Sequence, residues 1–241
     1  MPHTLFISDL HLCSTRPAIN HVFFEFLRGP AAQADALYIL GDLFEYWAGD
    51  DDDDPFNASI LTALHELAGR GVALFVMHGN RDFLIGERFA ATTCAKLLSD
   101  ATLVTLYGTP TLLMHGDTLC TDDFRYQQFR AEVRTSAWQS NFLAQPLATR
   151  RKIVAGLRAD STRDKKLKTE AIMDVTVAAV ETELRRHVYP RLIHGHTHRP
   201  ALHQHVVDNH PCERWVLADW YLQGAYLRCS ASGCQVLTLP G

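Results

Sequence analysis

No apolar run in the 241 residues approaches the ~20 residues that a membrane-spanning helix needs; the longest are short, such as Val72 to Met77. The first residues, MPHTLFISDLHL, have neither the basic n-region nor the long apolar h-region of a secretory signal, because Asp9 and His11 interrupt them at once. A chain that stays in the cytosol is therefore expected. The six cysteines (13, 94, 120, 212, 229 and 234) contain no C-x-x-C pair, which argues against a zinc ribbon and offers no disulfide framework, so reduced thiols are the default. An excess of positive charge is also missing: 23 Lys and Arg stand against 27 Asp and Glu, a net charge of -4, which excludes a generally basic nucleic-acid binder. No internal repeat occurs. The one biased tract is Asp50 to Asp54, five carboxylates read as a solvated loop or a helix N-terminal region.

What is present is globular in kind. With 47% apolar and 21% charged residues, the chain can bury a large core, and its length suits one large α/β domain, with or without a subdomain. Short apolar runs recur, each ending in polar residues. Thr4 to Ile7 leads into S-D-L-H, Ala36 to Leu40 into G-D-L-F-E, and Val72 to Met77 into H-G-N-R-D. Thr111 to Met114 then leads into H-G-D, and Arg191 to Ile193 into H-G-H-T-H. Between them, His21 to Leu27 and Ser59 to Ala68 carry apolar residues at helical spacing, the second stopped by Gly69 and Gly71. Alternating strand, polar turn and helix predict an α/β fold with functional loops at the carboxyl ends of strands. The stretch 122–174 breaks the rhythm with helical sets such as Phe129 and Val133, or Leu143 and Leu147 around Pro146, and reads as a helical insertion or lid. It also concentrates charge: 124–168 holds 11 basic and 3 acidic residues, a local +8 against -12 elsewhere. Val206 to Leu239 reads as several short strands with turns at Asn209, Gly224 and Gly233.

The predicted strand ends deliver Asp9 with His11, Asp42, Asn80, His115, and His196 with His198. Taken singly, an Asp after a strand is a turn former and a His a satisfied polar residue. Taken together, they are seven oxygen and imidazole donors at successive strand ends, and alternation along extended chain lets Asp9 and His11, and likewise His196 and His198, point to one side. Such a set without thiolate suits two divalent cations, Mn²⁺ first, with Fe²⁺ or Zn²⁺ as alternatives. Two cations about 3.5–4 Å apart clamp a phosphate and activate water for direct attack on phosphorus, with Asp42 the natural bridging carboxylate.

Asp9-Leu10-His11, Gly41-Asp42, Gly79-Asn80-Arg81-Asp82, His115-Gly116-Asp117 and Gly195-His196-Thr197-His198 together resemble the five blocks of the calcineurin-like metallophosphoesterases. The resemblance implies a β-sandwich flanked by helices, here a single domain over 1–241 with the lid inserted at about 122–174. It implies one metal held by Asp9, His11, Asp42 and His198, and a second by Asp42, Asn80, His115 and His196. Arg81 departs from the pattern, standing where most members have a His. A guanidinium can hold two phosphoryl oxygens but cannot give up a proton at neutral pH, so Arg81 is expected to stabilise charge, with Asn80 the other catalytic candidate.

The wider text around these blocks, from Phe6 through Ile172, Asp174 and Pro200, is similar to one branch, the family of UDP-2,3-diacylglucosamine pyrophosphatases. That branch implies Mn²⁺-dependent hydrolysis of the pyrophosphate by water attacking the α-phosphorus, at the cytoplasmic face of the inner membrane, with the product retaining both acyl chains. The resemblance places substrate contacts at Asn80, Arg81, Asp123, Ser161, Lys165, Lys168 and His196. Phe129, Trp138, Phe142, Leu143 and Leu147 are candidates for an acyl-chain shelter, against the plainer reading that they pack the lid on the core. The basic residues of the lid are candidates for lipid headgroups and the pyrophosphate. His194, Asp82, Asp117 and Asp219 are expected to orient ligands through hydrogen bonds. No nucleic-acid or obligate protein partner is expected. Another dinuclear phosphoesterase activity, a nuclease, or a non-catalytic scaffold of the same fold remain the alternatives.

Overall fold

A computed structural model describes residues 1–167, 172 and 174–239, with side chains described except at 159–167. Eleven strands form two sheets among these residues. In the first, β1 (Thr4–Ile7), β2 (Ala36–Leu40), β3 (Ala73–Met77) and β4 (Lys96–Leu98) run parallel, and β10 (Ala225–Ser230) and β11 (Gly233–Thr238) extend it antiparallel beyond β1. In the second, β6 (Thr109–Leu113), β7 (Arg191–His194) and β9 (His210–Val216) run parallel, edged by β5 (Thr102–Leu106) and β8 (Ala201–Val207).

Strict side-chain alternation sets the layers. Leu5, Ile7, Leu37, Ile39, Leu74 and Val76 pack in one cluster with Ile19, Phe23, Phe26, Ile60 and Leu64 of helices α1 (Pro17–Arg28) and α2 (Pro55–Gly69). The intervening Phe6, Tyr38, Leu40 and Met77 face Leu113 and Ile193 of the other sheet, while Leu112 and Leu192 face Val180 and Leu184 of α7 (Val177–Arg186). The result is a sandwich of two sheets between two helical layers, which explains why these strands are nearly continuous apolar runs. In-register aromatics bind the centre: Phe6 stacks on Tyr38 at 4.9 Å and Tyr38 on Phe75 at 4.4 Å, across three neighbouring strands.

Local signals set the boundaries. Pro17 opens α1 at its first turn, and Asp54 caps α2 by accepting from the Phe56 amide at 2.8 Å, with Pro55 following. The β8–β9 hairpin turns on Asp208 and Asn209, both at positive φ, as a two-residue turn requires. Three further helices, α4 (Phe124–Val133), α5 (Ser136–Leu143) and α6 (Leu147–Leu167), occupy the segment read as an insertion, and α3 (Glu87–Thr93) lies between β3 and β4. The expectation of reduced thiols throughout is corrected, since Cys229 and Cys234 are joined as a disulfide. They face each other directly in the β10–β11 pair, a proximity that hairpin register creates and a search for C-x-x-C does not see. No helix among the described residues is long and apolar enough to cross a membrane.

Candidate metal centre

The loops after β1, β2, β3, β6 and β7 meet at one edge of the sandwich, and their backbones are unusual there. Asp9, His11, Asp42, His196 and His198 all sit at φ between 50° and 68°, where non-glycine residues are uncommon. Five strained donors at one place are a mark of a site that the surrounding structure holds against its local preference. Gly41, at φ +90°, is needed for a second reason: a Cβ there would lie 2.5 Å from His115 Nδ1 and 2.6 Å from the Gly79 Cα.

The donors converge. Ligand atoms of Asp9, His11 and His198 lie within 4.8 Å of one another, and so do those of Asp9, Asp42 and His115. Asp42 turns Oδ2 toward His11 Nε2 at 3.8 Å and Oδ1 toward His115 Nε2 at 3.9 Å. Asn80 Oδ1 stands 3.1 Å from His115 Nε2 and 2.9 Å from His196 Nδ1. The Asp9 carboxylate therefore belongs to both groups, a centrality that strand order alone did not reveal.

Polar contacts aim each donor. His115 directs Nδ1 at the Leu40 carbonyl, 2.9 Å away, which leaves Nε2 facing the centre. Asp9 Oδ2 accepts from the His196 amide at 2.8 Å and from the Ser8 hydroxyl, whereas its Oδ1 is buried, accepts no hydrogen bond and faces His198 Nε2 at 3.4 Å. Asp82, expected to orient Arg81 or a histidine, instead accepts from the amides of Asp42, Leu43, Phe44 and Gly79, clamping the β2 and β3 loops together. His194 contacts the Gly195 carbonyl at 2.9 Å and Arg214 at 3.1 Å; burial and that guanidinium push its pKa down to about 4, so it stays neutral. Asp219 lies 4.0 Å from His198, and Asp117 accepts from Tyr126 Oη at 2.5 Å and Arg130 Nε at 2.7 Å.

The electrostatics call for cations. Burial, with Asp82 and Asp9 close by, pushes the Asp42 carboxyl well above the carboxylate range. Burial opposes protonation of His115, yet Asp42, Asp117 and Asp9 raise its pKa to about 9. Asp9, despite its burial, is held low by His198 and the neighbouring imidazoles. Protons on imidazole thus balance crowded carboxylates in the protein alone. Two divalent ions would supply the same charge, and the orphaned Asp9 Oδ1 and a donor set free of thiolate fit them.

Beside this centre opens a cleft of about 430 Å³. Asn80, Arg81, His196 and His198 line one end, and Trp47, Phe83, Phe129, Trp138, Phe142 and Leu157 line the walls. Trp138 stacks on Phe142 at 4.9 Å and meets Phe83 at 6.0 Å. Phe142 lines the cleft and is also part of the core against the helices. Leu143 and Leu147 lie outside the cleft lining; Leu143 is exposed and packs near Gly49. Asp123 lines the cleft and at the same time caps α4 through the Tyr126 amide at 3.2 Å. The side chains of Ser161 and Lys165, and all of Lys168, lie outside the described residues.

Several site residues had no sequence signal beyond nearness to a block. Glu45, three positions after Asp42, is buried, with Oε2 3.5 Å from His11 Nδ1. Tyr221 stacks on His11 at 5.2 Å, and Tyr126 lies over His196 at 5.9 Å. The acidic run is a partly exposed loop that ends, as expected, at a helix N-terminus, and its carboxylates are engaged. Asp50 accepts from the Gly86 and Phe89 amides at the start of α3, and Asp51 holds Arg150 through both oxygens. Asp52 and Asp53 hold Arg151, and Asp54 caps α2.

The calcineurin-like phosphoesterase family profile matches residues 2–200. The chain is 56% identical over 229 residues to the UDP-2,3-diacylglucosamine hydrolase of Aromatoleum aromaticum, covering 95% of this chain and 94% of that one. It is 52% identical over 231 residues to the protein of that name from Cellvibrio japonicus, covering 96% of each, and 48% identical over 238 residues to that of Serratia proteamaculans, covering 99% of each. A two-sheet sandwich with these donors at one edge, and a profile spanning most of its length, make this chain a member of the calcineurin-like phosphoesterase family.

Proposed function

We infer that the protein hydrolyses the pyrophosphate bond of UDP-2,3-diacylglucosamine in lipid A biosynthesis, giving UMP and 2,3-diacylglucosamine 1-phosphate. The observation that carries this reading is an aromatic-walled cleft opening onto the donor centre, in a chain about half identical, nearly end to end, to hydrolases named for that substrate.

We assign Asp9, His11, Asp42 and His198 to one cation and Asp42, Asn80, His115 and His196 to the other, both Mn²⁺ by donor chemistry. When bound, the cations supply Lewis acidity at the phosphoryl oxygens and lower the pKa of water. Arg81 holds the pyrophosphate through its planar guanidinium, its own backbone fixed by an amide donated to Asp42 Oδ1 at 2.8 Å. The leaving group is a phosphate anion, so no side chain has to protonate it. Asp123, Ser161, Lys165, Lys168 and His196 are assigned to the sugar phosphate, and Phe129, Trp138 and Phe142 to the acyl chains. A substrate of that kind lies in a bilayer, so we assign the protein to the cytoplasmic surface of the inner membrane. The exposed Phe124 and Leu222, adjacent in sequence to Asp123 and Tyr221, are the apolar groups offered to it.

Hydrolysis of UDP-2,3-diacylglucosamine with Mn²⁺ in ¹⁸O-labelled water tests the assignment. Label in UMP is the expected result and means attack at the α-phosphorus; label in the lipid phosphate moves the attack to the other phosphorus. No turnover by metal-loaded protein overturns the substrate.

A further inference from the structure

One element of the cleft wall reaches the donor centre through two side chains that no block contains. Glu45 leaves the β2 loop three residues after Asp42 and is buried, its side chain 6% exposed. One carboxylate oxygen, Oε2, lies 3.5 Å from His11 Nδ1, and the other, Oε1, lies 2.7 Å from Nε of Arg158 on α6. The opposite ring nitrogen, His11 Nε2, faces Asp42 Oδ2 at 3.8 Å, and Tyr221 covers a ring face at an interplanar angle of 19°. Tyr221 and two carboxylates therefore flank the imidazole.

A histidine ligand works through one nitrogen and needs the other held by an acceptor, which sets both the tautomer and the aim of the ring. A buried carboxylate in turn needs a cation, or its charge is left without compensation. Arg158 meets that need from a helix whose Val154 and Leu157 line the same cleft. We propose that Arg158 and Glu45 form a positioning relay through which helix α6 sets His11 for cation binding. Arg158 holds the Glu45 carboxylate, and Glu45 fixes the proton on His11 Nδ1 so that Nε2 is presented to the metal. The cation site and the cleft wall are then one coupled unit. The relay rests on the assignment of His11 as a cation donor.

Titration of Mn²⁺ into metal-free protein tests the relay without any substrate. Glu45→Gln is expected to weaken binding about 10–100-fold, the usual effect of losing a carboxylate behind a ligand histidine. Arg158→Ala is expected to weaken it several-fold, with Arg158→Lys recovering part of the loss, and the Glu45→Gln, Arg158→Ala double variant to be no weaker than Glu45→Gln alone. Arg151→Ala, which unties α6 from Asp52 and Asp53 but touches neither Glu45 nor His11, is expected to bind as the wild type does. Thermal melts of the metal-free variants check that each is folded. Wild-type binding within twofold in Glu45→Gln or Arg158→Ala, or strictly additive losses in the double variant, overturns the relay. An equal loss in Arg151→Ala also overturns it, by showing a general effect of loosening α6. A wild type that takes up no Mn²⁺ overturns the donor assignment itself, a result distinct from each of these.

Discussion

On the proposed assignment, Arg81 is the fixed positive charge offered to the scissile phosphates. Its backbone amide binds Asp42 and its side chain lines the cleft with Asn80 and His196, so it sits beside the donor centre. A fixed positive charge aimed at developing negative charge typically contributes about 10²–10³-fold to turnover. Arg81→Ala is expected to lose about that factor in kcat while metal content, measured by inductively coupled plasma mass spectrometry, stays at the wild-type level. Turnover within about twofold of wild type removes the role. At this scale the seven donors were legible because each closes an apolar run. Glu45 and Tyr221 were not, because nothing in the order of residues tells that a carboxylate three positions past Asp42 turns back to His11, or that a tyrosine far along the chain covers the same ring.

Helix α6 shows how charge composition misleads when partners are unknown. Its neighbourhood reads as a basic patch offered to anionic ligands, yet Arg150 is buried against Asp51 and the Ala48 carbonyl, Arg151 binds Asp52 and Asp53, and Arg158 binds Glu45. Arg150 and Arg151 thus pair with the acidic run across about a hundred residues of sequence. The Arg150 guanidinium bound to the Asp51 carboxylate holds that carboxyl below its usual range. A group whose pKa is depressed by folding stabilises the protein above its unfolded pKa, and the contribution is lost as pH falls through the folded value. Thermal melts of wild type and Asp51→Asn are accordingly expected to differ near neutral pH and to converge as pH falls below the usual carboxylate range. A gap that persists in acid assigns the effect to packing. The aromatic wall belongs to the same scale. Because Phe142 is also core, the informative variant is Phe129→Ala with Trp138→Ala. It is expected to lose much of the preference for long over truncated acyl chains in kcat/KM, and equal preference to wild type refutes the shelter.

For the molecule as a whole, the donor centre is held against its own local cost, with five donors at positive φ and carboxylates crowded enough to keep His115 protonated. The core sustains this. Cations that bind only the folded state add stability by mass action, about 2.7 kcal/mol at 100 times Kd. For a chain of this size that corresponds to a melting-temperature rise of about 5–10 °C on adding Mn²⁺ to metal-free protein, growing with its concentration. Calorimetry of the protein with and without chelator measures it, and a midpoint indifferent to Mn²⁺ contradicts a built cation site.

The sequence by itself marked β1, β2, β3, β6 and β7 and the polar residues that follow them, because apolar runs and strand-end chemistry are local properties written in neighbouring positions, whereas the short β4 and β5 carried no such mark. It also determined the family, whose blocks are contiguous. Only the tertiary structure decided that Asp82 clamps two loops, that the acidic run meets α6, that Cys229 lies opposite Cys234 and that Glu45 stands between His11 and Arg158. Each of these is a contact between distant segments, and such pairings are selected by which sheet faces and loop directions coincide after packing, a global condition that no window of the sequence contains.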